Sequence, residues 1–138
     1  MSRRGVDRRE EGSAALEMAF VAPVFLLLVF FAVQVGLWAY GRSVALEAAR
    51  EGVAQLRVLP DQQSVDAGQP AVEEHVRQFA GTLGRESLLQ PRVRTTWQPE
   101  RRRVAVEVSG RVVSLVPGLE LTTTQRAVGT LERFQGAR

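Results

Sequence analysis

Apolar residues fill almost every position from Ala14 to Tyr40, AALEMAFVAPVFLLLVFFAVQVGLWAY, and only Glu17 and Gln34 are strongly polar. As a helix this run is ~40 Å long, enough to cross a bilayer with some tilt. Trp38 and Tyr40 stand where an interfacial aromatic belt is expected. Beyond the run the pattern changes. Ala45, Ala48, Ala49, Gly52, Val53 and Leu56 recur at helical spacing, with Glu47, Arg50 and Glu51 largely on another face. Residues 13–58 therefore read as one long helix, half in lipid and half in water.

Residues 59–69 contain Pro60, Asp61, Ser64, Asp66 and Gly68 and read as a loop. Pro70 suits the first position of a second helix, with Glu73 and Glu74 in its first turn, a stripe of Val72, Val76, Phe79, Ala80 and Leu83, and Gly84 as its stop. His75 lies off the stripe and reads as a surface residue.

The last third alternates with period two. Val93, Thr95 and Trp97 share one face of a first strand, residues 92–98, which ends in a turn at Pro99–Arg102. Val104, Val106 and Val108 share a face of the second. Gly110 reads as a bulge, with the strand resuming from Val112 to Val116. After a turn at Pro117–Gly118, Leu119, Leu121 and Thr123 begin a third strand that extends toward Ala127 or Val128. Three antiparallel strands joined by hairpins are the economical topology, their apolar face packed on the Ala-rich half of the long helix and on the second helix. Residues 135–138 read as a frayed end.

The segment before the long helix is charged: Arg3, Arg4, Arg8 and Arg9 against Asp7, Glu10 and Glu11. Residues 1–11 are too short and polar to fold alone. Arg42, Arg50 and Arg57 follow the apolar run more thinly and are interleaved with acids. The positive-inside rule then puts the N-terminus in the cytoplasm and the C-terminal domain outside. A cleaved secretory signal fits poorly, because the apolar core is too long and Gly36-Leu37-Trp38-Ala39-Tyr40 is a poor cleavage sequence. Pro23 falls inside the helix, where it removes a backbone hydrogen bond and predicts a kink or local loosening. Glu17 is an ionisable group near the end of a membrane helix, which costs free energy and marks it for a role.

The order of these features carries a resemblance. A charged segment ending in Gly12 is followed by Ser13, three small or apolar residues, Glu17 and a long apolar helix containing Ala22-Pro23, and then by Ala48-Ala49-Arg50-Glu51-Gly52. This resembles type IV pilin-like precursors and, more closely, the TadE-like family of minor pseudopilins from tight-adherence (Flp) pilus systems. Ser13, where many pilins have Phe, favours that family over the major pilins.

The resemblance implies a pilin-like α+β fold with a cytoplasmic leader (1–12), a transmembrane helix (13–41), its extracytoplasmic continuation (42–58) and a small α+β domain (59–138). It implies cutting between Gly12 and Ser13 by a prepilin peptidase, an assembly role for Glu17, and a Pro23 bend that helps the helix pack against neighbouring subunits. The implied partners are membrane lipid, other pilin or pseudopilin subunits and the peptidase. The implied location is the cytoplasmic (inner) membrane, as a single-pass protein. The alternative is an unprocessed single-pass anchor whose outer domain binds envelope partners, with Glu17 snorkelling to the interface.

Composition narrows the chemistry. The 138 residues include no Cys and one His, so disulfides, thiolate sites and a His cluster are excluded. No nucleophile elbow, P-loop or dinucleotide fingerprint is present. No catalytic residue, cofactor or metal is expected, and the chain reads as an enzyme's substrate rather than an enzyme. All 18 basic residues are Arg and the net charge is only +3. Most aromatics lie in the apolar run, so a nucleic-acid partner is not expected. Arg101-Arg102-Arg103 reads as a solvated hairpin and Thr122-Thr123-Thr124 as ordinary strand.

Overall fold

A computed structural model describes residues 7–59 and 61–131, with side chains from Ala14 onward except that of Gln62. It is α+β in the order α1 (Asp7–Arg57), α2 (Gln62–Gly84), β1 (Leu88–Gln98), a single 3-10 turn (Pro99–Arg101), β2 (Arg103–Val112) and β3 (Leu121–Thr130). The expectations for residues 1–6 and 135–138 fall outside the described residues. The chain divides into two compact units, Met1–Val35 and Gly36–Arg138.

The first unit contributes the N-terminal part of α1. Its apolar side chains are exposed all round, from Leu16 through Phe20, Phe25 and Leu28 to Phe31. The helix starts at Asp7, earlier than the sequence pattern predicts, and so runs through Gly12 and Ser13. The helix continues through Pro23.

The second unit holds the core. The sheet is antiparallel, in the order β1-β2-β3. Val104, Val106 and Val108 have no exposed surface and form its central row, against Ala45, Ala48, Ala49, Val53 and Leu56 of α1 and Val65, Val72, Val76 and Ala80 of α2. Fully burying a Val or Leu side chain stabilises by about 1.5–3 kcal/mol, so this cluster dominates the domain's stability. The whole small-residue face of α1 predicted from spacing is buried.

Gly52 shows why that face is small. A Cβ there would stand 2.8 Å from Val76 Cγ2 and 3.1 Å from Val106 Cγ1. The glycine is a contact point of α1 with both α2 and β2, and the helix passes it without a break.

Several expectations are corrected. The segment at 62–69 is helix, not loop. Asp61 caps α2, its Oδ1 accepting from the Ser64 N–H at 2.7 Å. Val65, seven residues before Val72, is buried on the same face. This cap and anchor hold two turns ahead of Pro70, which sits inside the helix instead of starting it. Glu73 and Glu74 consequently lie in the middle of α2. Leu83 is exposed rather than part of the stripe.

The sheet irregularity is in β1, not at Gly110. The β1–β2 register shifts between Leu89 and Arg92, Gln90 has φ 50°, and Pro91 falls in the bulge, where its missing N–H costs no ladder bond. Gly110 instead makes room for Leu88, whose Cδ1 would lie 2.7 Å from a Cβ. β2 ends at Val112, and residues 113–120 form a turn carrying exposed Leu115, Val116 and Leu119. The third strand starts at Leu121 and runs to Thr130.

Candidate functional site

The residues singled out by sequence lie on α1. Gly12 and Ser13 are helical in their backbone, and the Ser13 side chain is outside the description. Glu17 follows Ser13 by four residues, one helical turn on, and is exposed among Leu16, Met18 and Phe20. Pro23, six residues further along α1, is likewise exposed. Gln34, the other polar side chain of the apolar run, is buried. Large apolar side chains exposed over so long a stretch are far beyond what a water-soluble surface carries. The helix from Ala14 to Arg57 is long and apolar enough to cross a membrane. On such a surface a carboxylate is costly unless it meets a partner or an interface.

The second unit supplies a different set of features. At the start of its share of α1, the Arg42 guanidinium lies 5.7 Å from the centre of the Trp38 ring, within cation–π range. Tyr40 Oη donates to the Leu83 carbonyl at 3.2 Å. A Cβ at Gly41 would stand 2.9 Å from Val112 Cγ2 and 3.4 Å from the Ser87 carbonyl oxygen, which also accepts from the Val113 N–H at 3.3 Å. These contacts bring the end of β2 beside Trp38–Gly41. At the opposite end, Arg57 Nε donates to the Thr130 carbonyl at 3.3 Å.

On the outer face of the sheet, Gln90, Arg92, Ser109, Arg111, Thr122 and Thr124 line an open cleft of about 370 Å³. Arg111 donates to Glu120 at 2.9 Å, and its Nε is shielded from solvent without a partner among the described residues. A second cleft, about 410 Å³, lies at the other end beside Trp97, Pro99 and Arg101. His75 Nε2 stands 3.9 Å from Glu51 Oε1, between exposed faces of α2 and α1. No group of three acidic, His or Cys side chains able to hold a metal occurs among the described residues.

Two features escaped sequence reasoning. The Glu73 carboxylate accepts from the Thr95 N–H at 2.9 Å and from Gln69 Nε2 at 3.2 Å, tying the middle of α2 to β1. Twenty-two residues separate Glu73 from Thr95, and no local pattern signals the pairing. The β2–β3 turn did leave a signal. Turns are ordinarily polar, yet Leu115, Val116 and Leu119 surround Pro117-Gly118.

An exposed apolar helix attached to a small α+β domain defines a candidate membrane-anchored protein. Comparison with known families sharpens this: residues 12–54 match the family model for TadE-like protein. The chain is thus similar to TadE-like proteins over the stretch that contains Gly12, Ser13, Glu17, Pro23 and the small-residue face of α1. That similarity points to a membrane protein associated with tight-adherence pili. No curated protein and no solved structure matches the chain.

Proposed function

We propose that the protein is a minor pseudopilin-like subunit that acts in assembly of a tight-adherence (Flp, type IV-like) pilus. The carrying observation is Glu17, an exposed carboxylate within an apolar helical surface, one turn from Ser13, inside the stretch that resembles TadE-like proteins. The Arg-rich leader holds the N-terminus at the cytoplasmic face of the inner membrane, and the chain crosses it once. A prepilin peptidase cuts between Gly12 and Ser13, where a residue without a side chain allows close approach of the protease. The new ammonium at Ser13 pairs with the Glu17 carboxylate of a neighbouring pilin or pseudopilin. In a low-dielectric setting that pairing is attractive and an unpaired carboxylate is costly, so it sets the register between subunits. Pro23 adjusts the packing of the helix against its neighbours. In this reading the chain is a peptidase's substrate, needs no cofactor and catalyses nothing.

Glu17→Gln tests the pairing. The expected result is loss of pili from the cell surface and of co-purification with other pilins, with the protein still in the membrane. Unchanged pilus output and co-purification would sink the charge-pairing step.

A second reading is favoured by one observation: α1 runs unbroken through Gly12 and Ser13. Proteolysis needs a locally opened backbone. A helix held intact there suits an unprocessed single-pass anchor whose outer domain binds envelope partners. N-terminal sequencing of membrane-purified protein from cells containing the peptidase separates the two. A start at Ser13 supports processing, and a retained leader supports the anchor.

A further inference from the structure

The strands fix the direction in which the β2–β3 turn reaches. β2 runs antiparallel to its stretch of α1, because Val106 approaches Gly52 and Val112 approaches Gly41. The turn at 113–120 leaves β2 after Val112 and returns at Leu121, the residue paired with Val112. It therefore continues past the level of Gly41 toward that of Trp38, near the end of the apolar run. At this tip Leu115 is 44 %, Val116 51 % and Leu119 44 % exposed. About half of each side chain is open to solvent, although a turn in water ordinarily carries polar residues.

One to three residues back along the strands lies the cleft of Arg92, Ser109, Arg111, Thr122 and Thr124. Arg85, at the C-terminal cap of α2, and Arg42 belong to the same end, close to Gly84 and Trp38. Four arginines here face two acids, Glu86 and Glu120, and Glu120 is already paired with Arg111. Apolar side chains at the tip with hydroxyls and guanidinium groups behind them match the depth profile of a bilayer surface, with acyl chains below and phosphates above.

We propose that this end of the domain is a lipid-binding surface. Leu115, Val116 and Leu119 enter the interfacial region of the outer leaflet, and the Arg92–Arg111 cleft receives an anionic headgroup phosphate. The inference rests on the reading that the apolar part of α1 spans the bilayer. Its consequence is that the domain is held against the membrane by a second contact besides its own helix.

The absence of cysteine makes the test direct. Leu27→Cys, Glu100→Cys and Val116→Cys variants of the full chain are each labelled with an environment-sensitive fluorophore. They are placed in vesicles of phosphatidylcholine, with or without phosphatidylglycerol, containing nitroxide-bearing lipid. Leu27 reports the span, Val116 the turn, and Glu100 the far end of the sheet.

The expected result is strong quenching at Leu27 by deep nitroxides. Quenching at Val116 by shallow nitroxides is several-fold above that at Glu100, and it rises further with phosphatidylglycerol unless Arg111→Gln is also present. Val116 quenched no more than Glu100, with Leu27 quenched, overturns the inference and leaves the span intact. Leu27 unquenched overturns both. Equal quenching at Val116 in the two lipid mixtures overturns the headgroup assignment of the cleft.

Discussion

Residues 16–31 and residues 44–56 belong to one helix and use apolar side chains in opposite ways. The first stretch is built from Leu, Phe, Val and Met and buries almost none of them, with Phe20 72 % and Leu27 68 % exposed. The second is dominated by Ala, Val and Gly, yet Ala45, Ala48, Ala49 and Leu56 have no exposed surface. Bulk is abundant where the side chains are exposed, and scarce where a sheet and a second helix must come close. Hydrophobicity alone does not locate the core of this chain. Side-chain size and the interruption by Glu47, Arg50 and Glu51 do.

The sharpest contrast is between two leucines. Leu56→Ala is expected to destabilise the domain by about 2–5 kcal/mol, the range for emptying a fully buried site. Leu27→Ala should leave the domain's unfolding unchanged. Denaturant unfolding of the full chain in detergent micelles, followed by the near-UV signal of Trp97 in a Trp38→Phe background, measures both; equal effects would remove the distinction between the two stretches.

A smaller effect is expected at Gly52. Gly52→Ala brings a methyl within 2.8 Å of Val76 Cγ2, and the overpacking costs roughly 1–3 kcal/mol, partly offset by Ala's better helix propensity. Gly36 has nothing within reach of a Cβ, so Gly36→Ala should be neutral or slightly stabilising in the same assay.

The smallest effect concerns acid. The backbone N–H and hydroxyl of Ser64 bond the Asp61 carboxylate and hold its pKa below the ordinary value of 3.8. A depressed folded-state pKa contributes stability that is complete well above 3.8 and is lost as pH falls through the folded value. Asp61→Asn should keep the cap and abolish that increment of acid sensitivity, whereas Asp61→Ala should lose the cap at every pH. Melting curves between neutral and strongly acidic pH separate the two variants.

Period and turn chemistry carry most of the fold. The Ala–Gly face of α1, the alternation of Val104, Val106 and Val108, and the turn at Pro99 predict elements that occur with the expected faces buried. Two of the misreadings, at Pro70 and Gly110, share a cause, since each took a proline or glycine as local punctuation where packing outweighs it. Pro70 is absorbed because Asp61 and Val65 secure the preceding turns. Pro91 occupies a bulge inside a strand, so β1 begins four residues before Arg92. Gly110 serves a close approach by Leu88 instead of an irregularity of its own strand. At the candidate site, Glu17 stands out because charge is rare in such a run. The cleft around Arg111 does not, because it is assembled from three strands and exists only once their register is set.

The margin of the sheet along β3 has a consequence for crowding. Its neighbours claim part of the hydrogen-bonding rim: the Gln125 amide covers the Thr124 carbonyl and Arg57 covers that of Thr130. A foreign strand seeking to zip onto this border would have to evict both side chains before gaining its own ladder. The β3 border is thereby partly guarded against such pairing.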